Sequence, residues 1–205
     1  MKKIITIIAL ISFLSGFSQT ADEYIDRGMA KADINDYQGA ILDYTKAIQI
    51  DINNNDAYSL RGVSKSMLND FRGAIVDFTK AIEINPNKSE YYESRGRQKN
   101  KLKDYEGAII DFSKAIEINP LDFESYNGRG LSKLYLSDYY RSNADFTMAI
   151  QLNNGISNIT LMASYYYRGV SRTFLKQKEN ACLDFSKAGE LGYSEAYNMI
   201  EKFCK

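Results

Sequence analysis

Arginine and aspartate are the residues whose types and spacing in this sequence first suggest chemistry. Arg-Gly pairs at 27–28, 61–62, 95–96, 129–130 and 168–169 share one feature: an aspartate followed by an aromatic residue stands sixteen positions after the arginine. The arginines are Arg27, Arg61, Arg95, Arg129 and Arg168, and the aspartates are Asp43, Asp77, Asp111, Asp145 and Asp184. A catalytic acid–base pair is unique within its site, so this recurrence indicates a structural role.

Each of these ten residues borders the apolar stripe of its helix. The arginine stands three positions after a tyrosine expected in the core, and the aspartate stands three positions after a small residue. The sharper hypothesis is a ladder of Arg–Asp ion pairs between stacked helices. It would fix register more than net stability, because desolvation offsets much of the attraction. The alternative is ten solvated rim charges, each contributing little.

The residue types needed for most catalytic sites are missing. The 205 residues include no histidine, which excludes the triads and metal sites that use imidazole. The sequence also has no Gly-rich phosphate loop, and no region outside the repeats would hold a pocket. We therefore expect no catalytic residue, no cofactor and no metal, and the sequence argues against an enzyme.

The two cysteines, Cys182 and Cys204, lie in the last two helical stretches. A turn near residues 191–192 folds these helices antiparallel and brings the cysteines within about one helical turn of facing each other. In an oxidising compartment this favours a disulfide. The alternative is two separate thiols, with Cys182 buried.

The helices that position these residues are predicted from a regular repeat in the sequence. The five arginines that precede an aspartate by sixteen positions are separated by 34, 34, 34 and 39 residues, which is the signature of a repeat array. Within a unit, apolar residues such as Phe71, Ala74, Ile75 and Phe78 have helical spacing. Each unit therefore reads as helix, tight turn, helix and loop. Aspartates suited to capping the second helix are Asp36, Asp70, Asp104 and Asp138.

A glycine recurs inside the first helix of every unit, where it costs roughly 1 kcal/mol relative to alanine. The positions are Gly28, Gly62, Gly96, Gly130 and Gly169. A missing side chain lets the partner helix approach closely. The small residue twelve positions later, alanine in four units and Ser142 in the fourth, is expected to supply the matching surface.

With these residues the chain resembles the tetratricopeptide repeat (TPR) family. The resemblance rests on the 34-residue period, the glycine, the small residue twelve positions later, the aromatic four after it, and Pro86 and Pro120. It implies an all-α fold, a right-handed superhelical α-solenoid of five helix pairs plus a C-terminal capping helix. After residues 1–18, the single array would fill 19–205. Its repeats would cover about 21–54, 55–88, 89–122, 123–156 and 160–192, with the capping helix at 194–203.

The resemblance also implies a groove lined mainly by the first helix of each pair. The partner-binding candidates are Arg97, Lys101, Leu131, Tyr135, Tyr166, Val170 and Phe174. They suit a protein or peptide partner with one or two apolar anchors, since tyrosine and arginine are enriched at recognition surfaces. The alternative for Leu131, Tyr135 and Phe174 is ordinary core between repeats. The Lys and Asn clamp of TPR domains that bind chaperone C-termini is absent.

The period breaks once, by five residues, near 153–160. We expect Asn158 or Thr160 to cap a slightly longer helix there. Three tyrosines follow at 165–167, and because they face three directions at least one should be exposed. Tyr166 is the best single candidate for a partner contact.

The first residues predict a secretory signal peptide. Lys2 and Lys3 precede an apolar run over 4–17, which is too short to span a bilayer, and small residues precede a cut before Gln19. The mature protein would lie in the periplasm or outside the cell without membrane insertion. With 26 basic and 26 acidic residues, the chain has no electrostatic signature of nucleic-acid binding.

The sequence thus favours an exported, non-catalytic scaffold that binds a peptide or helix of a partner protein. The alternative is a glycan- or lipid-binding accessory protein of the cell envelope, with its ligand on the aromatic part of the groove.

Overall fold

The computed structural model describes residues 19–153 and 155–205, so the expected signal peptide lies outside the described residues. Every regular element in this part is an α-helix, as predicted. The first helices of the five pairs are α1 (Ala21–Asp33), α3 (Asn55–Met67), α5 (Ser89–Lys101), α7 (Phe123–Tyr135) and α9 (Asn158–Phe174). The second helices are α2 (Tyr37–Ile50), α4 (Phe71–Ile84), α6 (Tyr105–Ile118), α8 (Tyr139–Asn153) and α10 (Lys178–Glu190). A closing helix, α11 (Glu195–Phe203), packs on the last pair.

The second helices begin where the capping aspartates predict. The carboxylates of Asp36, Asp70 and Asp104 accept the amide of the glycine three residues later at 2.9–3.0 Å. Asp138 accepts the amide of Arg141 at 3.2 Å. These bonds satisfy a donor that the first turn of a helix leaves without a partner.

The tight turn inside each pair is made by one residue with a left-handed backbone. Its φ lies between 59° and 63° at Asn35, Asn69, Lys103, Ser137 and Lys176. Asparagine adopts this region readily, whereas lysine does so at a cost of roughly 1–2 kcal/mol. The same turn is therefore built with different amounts of strain in different repeats.

The helix-interior glycines lie under an aromatic ring. A Cβ at Gly28 would come within 2.5 Å of the Tyr44 ring, and one at Gly62 within 3.2 Å of the Phe78 ring. The small residue is also close, because Ser142 Oγ donates to the Gly130 carbonyl at 2.9 Å. The sequence predicted that the glycine packs against the small residue twelve positions later. This is incomplete, because the glycine mainly makes room for the ring of the aromatic residue sixteen positions later.

The ladder aspartates are buried, with 1% to 5% of their surface exposed, so they are not solvated rim charges. In every repeat the arginine sixteen positions earlier holds the carboxylate with two nitrogens, Nη2 at 2.5–2.7 Å and Nε at 2.9–3.0 Å. Each ion pair joins the two helices of one repeat. The sequence hypothesis had placed these pairs between stacked helices without saying which helices they join.

A second cation contacts each of these aspartates, and it lies one turn after the arginine on the first helix of the repeat. It lies 2.7–2.8 Å from the carboxylate, and the residues are Lys31, Lys65, Lys99, Lys133 and Arg172. In the first repeat, hydrogen bonds from Arg27 and then Lys31 lower the pKa of Asp43 to about 2 against the cost of burial. That carboxylate therefore stays charged until the pH is strongly acidic.

The same arginines connect consecutive repeats. The Nη1 atom of Arg61, Arg95, Arg129 and Arg168 donates at 3.1–3.2 Å to a hydroxyl on the second helix of the preceding repeat. The acceptors are Thr45, Thr79, Ser113 and Thr147. Each guanidinium also lies over the ring of the tyrosine three residues before it. One side chain thus fixes both the pairing within a repeat and the stacking between repeats.

The five-residue insertion lengthens the first helix of the last pair. Helix α9 has 17 residues where the other first helices have 13. Its N-cap is Ser157, which accepts the amide of Thr160, so the expectation of a cap at Asn158 or Thr160 is wrong. The side chain of Asn153 bonds the backbone N–H and C=O of Ser157 and holds the loop closed.

Cys182 on α10 and Cys204 after α11 form a disulfide, with their Cα atoms 5.7 Å apart. The bond closes a loop with a sequence separation of 22 residues. It fastens the closing helix to the last pair, at the end of the array where a solenoid has a repeat on one side only.

Replacing the strained turn residue should stabilise the protein. We expect Lys103→Asn to raise the free energy of unfolding by about 0.5–1 kcal/mol, because asparagine tolerates the left-handed backbone. The reciprocal change Asn69→Lys should lower it by a similar amount. Urea denaturation followed by circular dichroism measures both changes. A shift of the same sign in the two variants would contradict the explanation.

Removing one buried carboxylate should be costly. Asp111→Asn leaves Arg95 and Lys99 facing each other without a counter-charge, and we expect a loss of about 3 kcal/mol. The matched control is Glu117→Gln, which breaks the exposed Lys114–Glu117 pair and should change stability by about 0.5 kcal/mol or less. Thermal denaturation of the two variants beside the parent chain tests this, and losses of equal size would reject the network.

Candidate peptide-binding groove

A cavity of about 900 Å³ opens between the first helices of the third, fourth and fifth repeats. Helices α5 and α7 form its sides, and they run in the same direction, since Arg97 approaches Glu124 and Asn100 bonds Gly128 further along both. The residues that line it are Glu93, Arg97, Asn100, Lys101, Lys103, Tyr105, Phe112, Glu124, Asn127, Gly128, Leu131, Tyr135 and Tyr167.

Four of the seven partner-binding candidates line this cavity, namely Arg97, Lys101, Leu131 and Tyr135. Of these, Leu131 is half-buried and Tyr135 is 56% exposed, so Tyr135 is not core between repeats. Phe174 lies elsewhere, 58% exposed and stacked on Tyr139 with ring centroids 4.3 Å apart. The structure thus brings together the candidates of the third and fourth repeats.

Tyr166 and Val170 belong to the core at the C-terminal end. The Tyr166 ring lies 4.6 Å from Tyr193 and 5.8 Å from Phe185, measured between centroids. All three tyrosines at 165–167 are half-buried, so the expectation that at least one of them would be exposed is wrong. The physical reason is that the chain after α10 folds back and covers Tyr166.

Tyr167 takes the place in the groove that was expected for Tyr166. It lines the cavity, and its ring stacks 6.0 Å from Phe146. Burial is the main cause that raises its pKa, so the phenol is a neutral surface. Sequence variation could not separate the two tyrosines, because the positions of Tyr166 and Tyr167 both change in every repeat.

The cavity owes its depth to Gly128, which occupies the position that Leu60, Ser94 and Tyr167 hold in other repeats. A Cβ there would lie 2.4 Å from the Phe112 ring, which forms the floor. Asn100 holds α7 in place beside the cavity, since its Nδ2 donates to the Gly128 carbonyl at 3.2 Å. Sequence reasoning missed Gly128 because it read glycines only at the repeated position.

Charged groups meet at one side of the cavity. Arg97 bonds Glu93 one turn earlier on the same helix and lies 3.5 Å from Glu124 on the next. Burial raises the pKa of Glu93, and the neighbouring guanidinium opposes that rise. Thr160 Oγ1 donates to Glu124 at 2.6 Å, which connects the extra turn of α9 to the groove. Three successive repeats therefore share one polar network.

Aromatic rings close the opposite side. Tyr105, at the start of α6, stacks on Tyr135 with centroids 4.8 Å apart and ring planes 18° apart. Between this pair and the charged side lie Leu131 and Gly128. The arrangement offers an apolar centre with polar groups at both ends, which is typical of a site that orients its ligand.

Two further observations concern the part of the chain that the structure describes. No three of its histidine, cysteine, aspartate or glutamate side chains lie together as a metal ion would require. None of the helices at 19–153 and 155–205 has the length and hydrophobicity needed to cross a membrane.

Adding a methyl group at Gly128 should disturb the floor of the cavity. Gly128→Ala brings Cβ into the Phe112 ring, and we expect a net loss of about 1–2 kcal/mol from overpacking despite the better helix propensity. Ser94→Ala, at the same position of the previous repeat, should change stability by less than about 0.5 kcal/mol. Urea denaturation measures the free energy of unfolding of both variants. A Gly128→Ala protein as stable as the parent would contradict the packing of the Phe112 ring against Gly128.

Comparison with known proteins agrees with this architecture. The sequence matches the tetratricopeptide repeat family over residues 56–88 and 89–120. No curated protein matches the sequence.

Solved structures share the fold at low identity. The MamA protein has a TM-score of 0.75 at 21% identity, covering 86% of this chain and 94% of its own. YrrB, described as a TPR protein with an unusual peptide-binding site, has a TM-score of 0.75 at 19% identity, covering 94% and 98%. MamA from Desulfovibrio magneticus RS-1 has a TM-score of 0.76 at 18% identity, covering 85% and 96%. Repeat pattern and architecture agree: residues 56–120 carry tetratricopeptide repeats, and the described array has the fold of the TPR structures to which it is similar.

Proposed function

We propose that this protein is an exported, non-catalytic scaffold that holds a peptide or helix of a partner protein in the cavity between α5, α7 and α9. The repeats are of a kind that serves protein–protein interaction. The observation that carries the proposal is the cavity itself, whose lining residues are largely those that change between otherwise similar repeats.

The size and lining of the cavity suit a segment of protein chain. About 900 Å³ lies within the range of ligand pockets. Tyrosine and arginine, which are enriched at binding hot spots, form much of its surface. YrrB, which shares the fold, is described as having a peptide-binding site.

A non-catalytic role is consistent with the state of the buried carboxylates. Each ladder aspartate is held by two cations at 2.8 Å or less. A carboxylate held in this way is a poor general base, because its charge is already stabilised.

Export to the periplasm or the cell exterior is supported by two features near the ends of the array. Thr20 and Glu23 form a reciprocal cap at the start of α1, two residues after the expected cleavage point, so the array would begin at once in the mature chain. The disulfide between Cys182 and Cys204 is of the kind that persists in an oxidising compartment.

Photo-crosslinking in the producing cells tests the groove. We expect a photoreactive phenylalanine analogue at position 135 to capture a protein, and the same group at the exposed position 76 of α4 to capture far less. Adding Leu131→Gln to the first variant should reduce the yield on the order of tenfold, since a central apolar contact is lost.

Two outcomes would reject the proposal. Equal capture at positions 135 and 76 would show that the cavity is not the binding surface. Cross-linking to a glycan or a lipid in place of a protein would favour the alternative function. Intact-mass analysis of the same material tests export, and a chain that does not begin at Gln19 would contradict the expected cleavage.

A further inference from the structure

The two ends of the cavity carry opposite charge. Glu93 and Glu124 lie near the N-terminal ends of α5 and α7, and Asp122 caps α7 beside them. Arg97 is shared between the two glutamates, so three carboxylates there face one guanidinium. This end of the cavity therefore has a net negative charge.

The other end is basic. Lys101 is the last residue of α5, and Lys103 lies in the turn that follows. Both are exposed and line the cavity. Within the described residues, the ion pairs of this region involve Arg95, Arg97 and Lys99 but neither of these two lysines. Their charges are available to a ligand.

The centre between the two ends is apolar. Leu131 and Tyr167 face it, Gly128 leaves it open, and the stacked pair of Tyr105 and Tyr135 borders the basic end. Asn100 and Asn127 also line the cavity, but their side chains already donate to the Gly128 carbonyl and to Ser164. An apolar side chain therefore fits the centre, and charged groups of opposite sign fit the two ends.

We propose that the cavity selects an extended peptide segment in which an aromatic residue is flanked by a basic residue on one side and an acidic residue on the other. This proposal rests on the proposed peptide-binding function. The basic residue lies at Glu93 and Glu124, the aromatic residue against Leu131, and the acidic residue at Lys101 and Lys103. Opposite charges in fixed positions give direction and specificity more than affinity.

The geometry also sets the spacing of the motif. Glu93 and Lys101 are eight residues apart on one helix, which corresponds to about 12 Å. An extended chain advances about 3.3 Å per residue, so the two charged residues of the ligand are about four positions apart. An aromatic residue midway between them reaches the apolar centre.

Fluorescence anisotropy of the purified protein with four end-blocked, labelled peptides tests the charge order. Two peptides contain Arg-Ala-Phe-Ala-Glu and its reverse, Glu-Ala-Phe-Ala-Arg, and two carry arginine or glutamate at both charged positions. We expect one of the mixed-charge peptides to bind roughly fivefold or more tightly than either single-sign peptide.

The second part of the experiment repeats the anisotropy measurements on a protein whose basic end carries the opposite charge. Lys101→Glu combined with Lys103→Glu should transfer the preference to the peptide with two arginines. The control is Arg72→Glu combined with Lys202→Glu, two exposed positions outside the cavity that change the net charge equally. This control should retain the original preference.

Equal affinity for all four peptides, no measurable binding of any of them, or the same shift in both double variants would overturn the inference. Cross-linking of a protein at position 135 alongside any of these results would leave the peptide-binding function intact and reject only the charge order. If the peptides do not bind as expected and no protein is cross-linked at position 135, both the charge order and the peptide-binding function are rejected.

Discussion

Each repeat buries an aspartate between its two helices, and the rest of the array is arranged around that charge. A carboxylate out of contact with water is strongly unfavourable unless cations and hydrogen-bond donors surround it. Here an arginine and a second cation do so in all five repeats. The same arginine reaches a hydroxyl of the preceding repeat, so a change of register would leave a buried charge without its partner.

Because this network is repeated, the large differences between repeats fall at positions that the network does not use. Within it, Arg172 replaces a lysine and Ser113 a threonine, and each keeps the charge or the hydroxyl that its contact requires. The third and fourth repeats place Arg97 and Leu131 where the others have Met29, Val63 and Val170. The framework beneath them is nearly unchanged, with the caps and ion pairs of each unit in equivalent positions. A binding surface can thus vary without altering the stacking that supports it.

The local elements of this fold were accessible from the sequence to a large degree. Helix starts followed from Asp36 and its equivalents. The sixteen-residue spacing of Arg95 and Asp111 pointed to an ion pair between stacked helices, and the structure places that pair within one repeat. The second cation was not identified, although Lys99 stands four residues after Arg95 and therefore on the same helix face. The groove was only half predicted, because Tyr166 and Tyr167 differ by one position and only packing distinguishes them.

The sequence by itself determined the number of helix pairs, the starts of the second helices capped by aspartate and the fixed spacing of the charged residues. These depend on short-range spacing and on a period that the letters display directly. The tertiary structure alone decided which variable side chains form one cavity. Tyr166 became core because the segment after the last repeat returns to cover it, and Gly128 opened a pocket because the Phe112 ring lies against it. Both outcomes depend on contacts between repeats, whose geometry no single repeat encodes.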